Sequence, residues 1–218
     1  MKKIFLISLM LLLGFNTLVH AEEVSLANLI ELAKKGDASA QNQLGEIYGD
    51  GEIVPQDIQK SVEFYQKAAN QGLAEGQVNL GLSYYFGLGL NEDYKKAVEW
   101  YRKAAEQGNA DGQFYLGASY YFGEGIPKNE KQAFEWYLKA AEQGHNTAQF
   151  KLGTMYLEGS GVVSDNKKAY AWYSASASNE YEDAIDAIKN TADKLTPDEL
   201  ISAKELAQNY IKKYKKNK

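Results

Sequence analysis

Along residues 37–180 the apolar positions fall on paired helical stripes, and the pair returns every 36 residues. Leu-Gly stands at Leu44-Gly45, Leu80-Gly81, Leu116-Gly117 and Leu152-Gly153, and a tyrosine follows each, at Tyr48, Tyr84, Tyr120 and Tyr156. An aromatic pair recurs later in every copy: Phe64-Tyr65, Trp100-Tyr101, Trp136-Tyr137 and Trp172-Tyr173. Glycines punctuate the copies at Gly36, Gly72, Gly108 and Gly144. A single unit of this size cannot bury its own apolar face. A fixed period therefore predicts helical hairpins packed side by side.

Each copy resolves into two helices, A and B. In the second copy Ala74 to Tyr85 is the predicted A helix, with Gln77, Leu80, Gly81 and Tyr84 on one stripe. Gly87 and Gly89 mark a turn, Asp93 sits where an N-cap belongs, and Tyr94 to Gln107 is the predicted B helix, closed by Gly108. Ala97, Trp100, Tyr101, Ala104 and Ala105 form its core face. A glycine inside a helix costs about 1 kcal/mol of propensity. Its return in all four A helices predicts that a neighbouring ring or backbone approaches closely there. The first copy has Ile53 where the others have Gly89, Gly125 and Gly161, so its A–B turn is expected to differ.

The ends read as caps. Ser25 to Lys35 matches a lone B helix. After the fourth copy the pattern decays, with Glu180 in the place of Gly144 and Lys189 in the place of the Leu-Gly glycine. Residues 181–190 still read as an A helix. Thr196-Pro197-Asp198-Glu199 is a helix start, and residues 197–214 place Leu200, Ala203, Leu206, Ala207 and Tyr210 on one stripe. The expected division is a leader over 1–21, a capping helix over 22–36, repeats over 37–72, 73–108, 109–144 and 145–180, and capping helices with a basic tail over 181–218.

Taken together the copies spell A-x-x-Q-x-x-L-G-x-x-Y-x-x-G-x-G, then a spacer, then D-x-x-K-A-x-x-W-Y-x-K-A-A-x-Q-G, best seen from Ala110 through Gly144. This resembles the Sel1-like repeat family, relatives of the tetratricopeptide repeat. The resemblance implies an all-α, right-handed α/α solenoid of antiparallel helix pairs. It also implies the role of an adaptor or scaffold, in a family often exported from bacteria, with some members acting in host contact or in immunity against secreted effectors. A cysteine-rich branch of the family is linked to β-lactam chemistry. This chain has no cysteine and so falls outside that branch.

Composition narrows the class further. Met1-Lys2-Lys3, the apolar run from Ile4 to Leu13 and Val19-His20-Ala21 form the three parts of a secretory leader with cleavage after Ala21. The expected home is the periplasm or the exterior, with no stable membrane insertion after cleavage. Loss of Lys2 and Lys3 with the leader takes the formal charge from −5 to −7. That sign argues against nucleic acid as a partner.

Candidate chemistry is sparse, and no catalytic residue, cofactor or metal site is expected. His145 is the one histidine left after the leader, placed in a turn and read as a solvated side chain. Gly159-Ser160-Gly161 is an A–B turn rather than a nucleophile loop. Glu63, Glu99 and Glu135 recur along the B helices, with Lys60, Lys96, Lys67, Lys103 and Lys139 as prospective partners on a solvated face. Such a row lacks the one displaced pair that acid–base catalysis needs.

Positions that differ between copies are free for recognition. At about 100° per residue, the stripe opposite the constant one carries Glu75, Asn79, Leu82 and Phe86 in the second copy. Its equivalents are Ser39, Gln43, Glu46 and Asp50, then Asp111, Tyr115, Ala118 and Phe122, then Thr147, Lys151, Thr154 and Glu158. The expected partner-binding set on this concave face is Asn79, Leu82, Tyr85, Phe86, Tyr115, Tyr121, Phe122 and Lys151. Tyr115 and Tyr121 are expected to be the exposed members, whereas Phe86 and Phe122 abut a turn that they could plug. The expected function is that of a monomeric protein- or peptide-binding module of the bacterial envelope. The alternatives are a periplasmic immunity protein against a secreted effector, or a cell-wall or β-lactam hydrolase.

Overall fold

Asp or Asn precedes every B helix, and the structure shows why. In this computed structural model, which describes residues 26–215, Asp57, Asp93, Asn129 and Asp165 each accept the backbone N–H three residues on, at 3.0–3.1 Å. These N-caps satisfy donors that the first helical turn leaves unpaired. The expected leader, its cleavage point and the end of the basic tail lie outside the described residues.

The chain divides into two compact units between Gly76 and Gln77. The first holds residues 26–34 (α1), Ala38–Asp50 (α2) and Ile58–Asn70 (α3). Helix α4, Ala74–Phe86, carries the boundary near its start. The second unit continues with Tyr94–Glu106 (α5), Ala110–Phe122 (α6), Glu130–Glu142 (α7), Asn146–Glu158 (α8) and Asn166–Ser178 (α9). It closes with Ala184–Ala192 (α10) and Pro197–Lys213 (α11). Among the described residues there is no strand. Within the units α2 pairs with α3, α5 to α9 pack in series as antiparallel neighbours, and α10 and α11 both pack on α9; the fold class is the all-α solenoid that the 36-residue period predicts.

The glycine within each A helix is explained by a ring. A Cβ on Gly81 would stand 2.5 Å from the Tyr101 ring, and one on Gly117 or Gly153 would stand 2.9 or 2.6 Å from Tyr137 or Tyr173. In the first unit Gly45 lies against Tyr65 in the same way. Ring on backbone is how A and B helices close on one another, and leucines complete the seal: Leu44, Leu80, Leu116 and Leu152 are fully buried.

A buried glutamine ties successive hairpins. Gln113 donates to the Ala105 carbonyl of α5 at 3.4 Å and accepts from Gln143 at 2.8 Å. Gln149 does the same with Ala141 at 3.0 Å and Asn179 at 2.9 Å. In the first unit Gln41 donates to Ala33 at 3.1 Å and accepts from Gln71 at 2.7 Å. Each amide links the B helix before it to the end of the B helix after it.

One expectation holds and three are corrected. Gly125 and Gly161 adopt φ of 70°, and a Cβ there would run into the carbonyls of Tyr94 and Glu130. Ile53 does not adopt a left-handed conformation, so the first A–B turn differs as expected, but by a change of backbone. Of the corrections, the first is that α10 starts three residues later than expected, because residues 179–183 are spent on a turn in which Glu180 sits at φ 69°. Second, Lys67, Lys103 and Lys139 lie over the rings of Phe64, Trp100 and Trp136, at 5.1, 3.7 and 3.8 Å, rather than on the glutamate row. Third, His145 is not solvated. Its side chain is 14 % exposed, its ring stacks on Phe114 at 4.6 Å, and its Nδ1 accepts the Ala148 N–H at 3.1 Å as the N-cap of α8. The proton then rests on Nε2, 3.2 Å from Asp111 Oδ1.

A candidate binding pocket on the second and third repeats

Within the second unit, the recognition stripes of α4 and α6 converge. Leu82 and Phe86 from α4 meet Tyr115, Ala118 and Phe122 from α6 around an apolar cavity of about 190 Å3. Tyr85 flanks it, Tyr101 and Phe114 line it, and Ser119 and Glu124 supply polar atoms. Helical spacing accounts for the convergence: residues 115, 118 and 122 project from one side of α6, and the glycine-backed approach of α5 sets Tyr101 beneath.

The expected order of exposure is reversed. Phe86 and Phe122 stand 61 % and 58 % exposed, each edge-on to the tyrosine before it, whereas Tyr115 and Tyr121 are half-buried. Tyr115 stacks on Tyr101 at 5.1 Å, and Tyr121 packs into the core around Tyr137. The phenylalanines do not plug their turn, because Gly87 and Gly123 close it and leave both rings in water. Asn79 and Lys151 do not line the cavity.

Electrostatics around the pocket are acidic. Tyr85 donates its hydroxyl to Glu124 Oε2 at 2.8 Å, across 39 residues of chain. That hydrogen bond, followed by desolvation, pushes the Tyr85 phenol up to about 12. Glu92 adds to the same effect, and Asp111, after burial, raises Tyr115. Burial lifts Tyr101 and Tyr137 well above the ordinary tyrosine range.

Two hydroxyls in this region are buried without a hydrogen-bond partner: those of Tyr101 and Tyr137, each 1 % exposed. Their counterparts at the ends of the array are satisfied. Tyr173 donates to Thr154 at 3.1 Å, and Tyr65 bonds Ser61. The position that holds Thr154 in the fourth copy holds Leu82 and Ala118 in the second and third, and both of those line the cavity. Tyr101, Phe114, Ser119 and Glu124 were not in the sequence-derived set. For Tyr101 the signal was present in that pairing of positions 19 residues apart.

Among the described residues, no group of three or more His, Cys, Asp or Glu is placed to hold a metal ion, and no helix is long and apolar enough to cross a membrane. Repeated hairpins, recurrent ring-on-glycine contacts and a variable face with one apolar pocket define a tandem helical-repeat scaffold. The Sel1 repeat model matches residues 38–73, 74–109, 110–145 and 146–181, and the chain belongs to the Sel1 repeat family. Proteins of this family are in general non-catalytic scaffolds for protein–protein interaction.

Among solved structures, a protective antigen of uropathogenic Escherichia coli is 41 % identical with a TM-score of 0.81, over 87 % of this chain and 41 % of its own. The chain thus spans about two fifths of that relative. A Sel1 repeat protein from Oxalobacter formigenes is 33 % identical with a TM-score of 0.69, over 85 % of this chain and 83 % of its own. An immunity protein from Pseudomonas aeruginosa shares the fold at 22 % identity, with a TM-score of 0.56 over 87 % of this chain and 71 % of its own. No curated protein matches the chain.

Proposed function

We propose that this protein is a non-catalytic, monomeric protein-binding module of the bacterial cell envelope, exported by its first 21 residues. Its partner, a peptide or protein surface, is taken against the A-helix face of the second and third repeats. The observation that carries this is the aromatic mouth formed by Phe86 and Phe122, two exposed rings beside one apolar cavity. Rigid aromatics around an apolar hollow are the usual makings of a binding hot spot. The leader-like residues 1–21 support export, and a protective antigen among the relatives is in keeping with it.

A narrower form of this function is an immunity protein that captures a toxic effector in the periplasm. The acidic rim at Glu124, Glu92 and Asp111 favours it, since such a surface steers a basic partner. The fold shared with the Pseudomonas aeruginosa immunity protein supports the scaffold, not the effector.

The test is site-specific photocrosslinking in the source cells. A photoreactive residue replaces Phe86, Phe122 or, as a control on the exposed side of α5, Glu99. A discrete crosslinked partner from positions 86 and 122 and none from 99 is the expected result. Crosslinks only to a second copy of this chain, equal yield from all three positions, or none at 86 and 122 would each remove the proposal.

A further inference from the structure

Leu82 and Ala118 are the key to what the pocket takes. In the fourth repeat a threonine at this position gives the ring tyrosine its hydrogen bond. In the second and third repeats the apolar residue leaves Tyr101 and Tyr137 buried and unpaired. Leaving a buried hydroxyl unmet destabilises a fold. Both departures fall in the lining of the same cavity, so the fold keeps this hollow apolar against its own stability.

The size of the hollow sets the occupant. About 190 Å3 is smaller than the roughly 300–1,000 Å3 of sites that hold drug-sized ligands. It suits one large side chain inserted from a partner. Charge sets the neighbours of that side chain: Glu124 sits in the lining, with Glu92 and Asp111 in electrostatic reach of Tyr85 and Tyr115. Lys128 is engaged with Glu130 at 2.8 Å.

Resting on the protein-binding function above, we infer that the pocket captures a single aromatic side chain carried on a cationic segment of the partner, with a lysine or arginine next to the inserted ring meeting Glu124. Phe86 and Phe122 clasp the entering ring, and Ala118 leaves it room. Glu124 selects the sign of the flanking charge while holding Tyr85 in place. The fourth repeat, with Thr154 at the corresponding position and a satisfied tyrosine, does not share this specificity.

Capped tripeptides test this on the protein purified after export from its full-length gene, with backbone amide shifts followed by NMR. Lys-Phe-Lys is expected to move the amides of Leu82, Tyr115, Ala118 and Phe122 and to bind about tenfold more tightly than Glu-Phe-Glu. Lys-Ala-Lys is expected to leave those amides unmoved. In Glu124→Gln the preference for the basic peptide falls to about threefold or less. Ala118→Thr copies the fourth repeat and offers the Tyr137 hydroxyl a partner, so it is expected to keep the helical circular dichroism, to keep or raise the melting temperature, and to weaken Lys-Phe-Lys about tenfold.

Equal binding of the alanine and phenylalanine peptides, shifts confined to other repeats, no binding at millimolar peptide, or undiminished binding by a folded Ala118→Thr variant would each overturn the inference. Photocrosslinking to a partner at positions 86 and 122 with a failed peptide series rejects this inference alone. Peptide binding without any crosslinked partner rejects the broader function instead.

Discussion

The ring-on-glycine contact is the smallest feature on which the architecture depends. A methyl group on Gly81 would stand 2.5 Å from Tyr101. Gly81→Ala must therefore push out a ring that is buried, stacked on Tyr115 and part of the pocket wall. Overpacking of this kind costs about 1–3 kcal/mol, and urea denaturation should show it, with part of the loss recovered when Tyr101→Leu is added. At the mouth, the Tyr85–Glu124 hydrogen bond has a spectroscopic handle. The folded phenol is raised, so the bond contributes below the ordinary tyrosine value of 10.0 and is lost as pH rises through about 12. In an absorbance titration of phenolate the late fraction comes from Tyr101, Tyr137 and Tyr210 as well as Tyr85, and the Tyr85 transition should be absent from Tyr85→Phe. In Glu124→Ala it should move back toward the ordinary value.

At the scale of elements, most of the structure was legible. The 36-residue period, the N-cap acids and the glycine turns are local rules applied several times over, and repetition removes their ambiguity. Asp93, for example, was readable as a cap because three counterparts stood at the same register. His145 stands in register with the caps Asp37 and Asn109, an alignment that its reading as a solvated turn residue missed because histidine is rare as a cap. The pocket was legible only in part. The stripe arithmetic found Leu82, Phe86, Tyr115 and Phe122, because it needs only the helical repeat. It could not find Glu124, whose partner Tyr85 lies 39 residues away, nor tell which aromatics face water, because that is decided by the neighbouring hairpin. The last helix shows the local rules at their strongest. Thr196 accepts from the Glu199 N–H at 3.3 Å, and Glu199 accepts from the Thr196 N–H at 2.9 Å. Thr196→Ala should cost about 1 kcal/mol in thermal or chemical unfolding. The Thr196 N–H, and after it the Thr196 hydroxyl at 3.0 Å, donate to the Glu199 carboxylate and hold it below its ordinary 4.5. Their contribution is therefore present above that value and disappears as pH falls through the depressed one, so the cost of Thr196→Ala should shrink in acid without vanishing, because the hydroxyl still caps the Glu199 N–H there.

For the whole molecule, stability has to come from packing, because no cysteine is present to form a disulfide. A repeat array is exposed at its ends, where the last hairpin has one neighbour instead of two. In the second unit that end is covered by α11. Tyr210 and Tyr214 lie 4.6 and 5.1 Å from Trp172 of α9, and Gln149, the last of the linking glutamines, donates to the Tyr214 carbonyl at 3.1 Å. The cap thus continues two devices of the array, aromatic burial and the glutamine link, although its sequence has lost the repeat. Tyr210→Ala would uncover one face of Trp172 while leaving the pocket residues of α4 and α6 untouched. The expected loss is about 2–4 kcal/mol, less than for a fully buried ring because Tyr210 is only half-buried. Trp172 emission should shift to the red, isolated from the other two tryptophans by comparison with a Trp100→Phe, Trp136→Phe background. Nearest-neighbour coupling adds a sharper expectation. Amide exchange should accelerate most in α8, α9 and α11, and least in α4, at the far end of the unit. Uniform acceleration along the whole chain would mean that the array unfolds as one cooperative block and that α11 supports all of it, rather than the hairpin it touches.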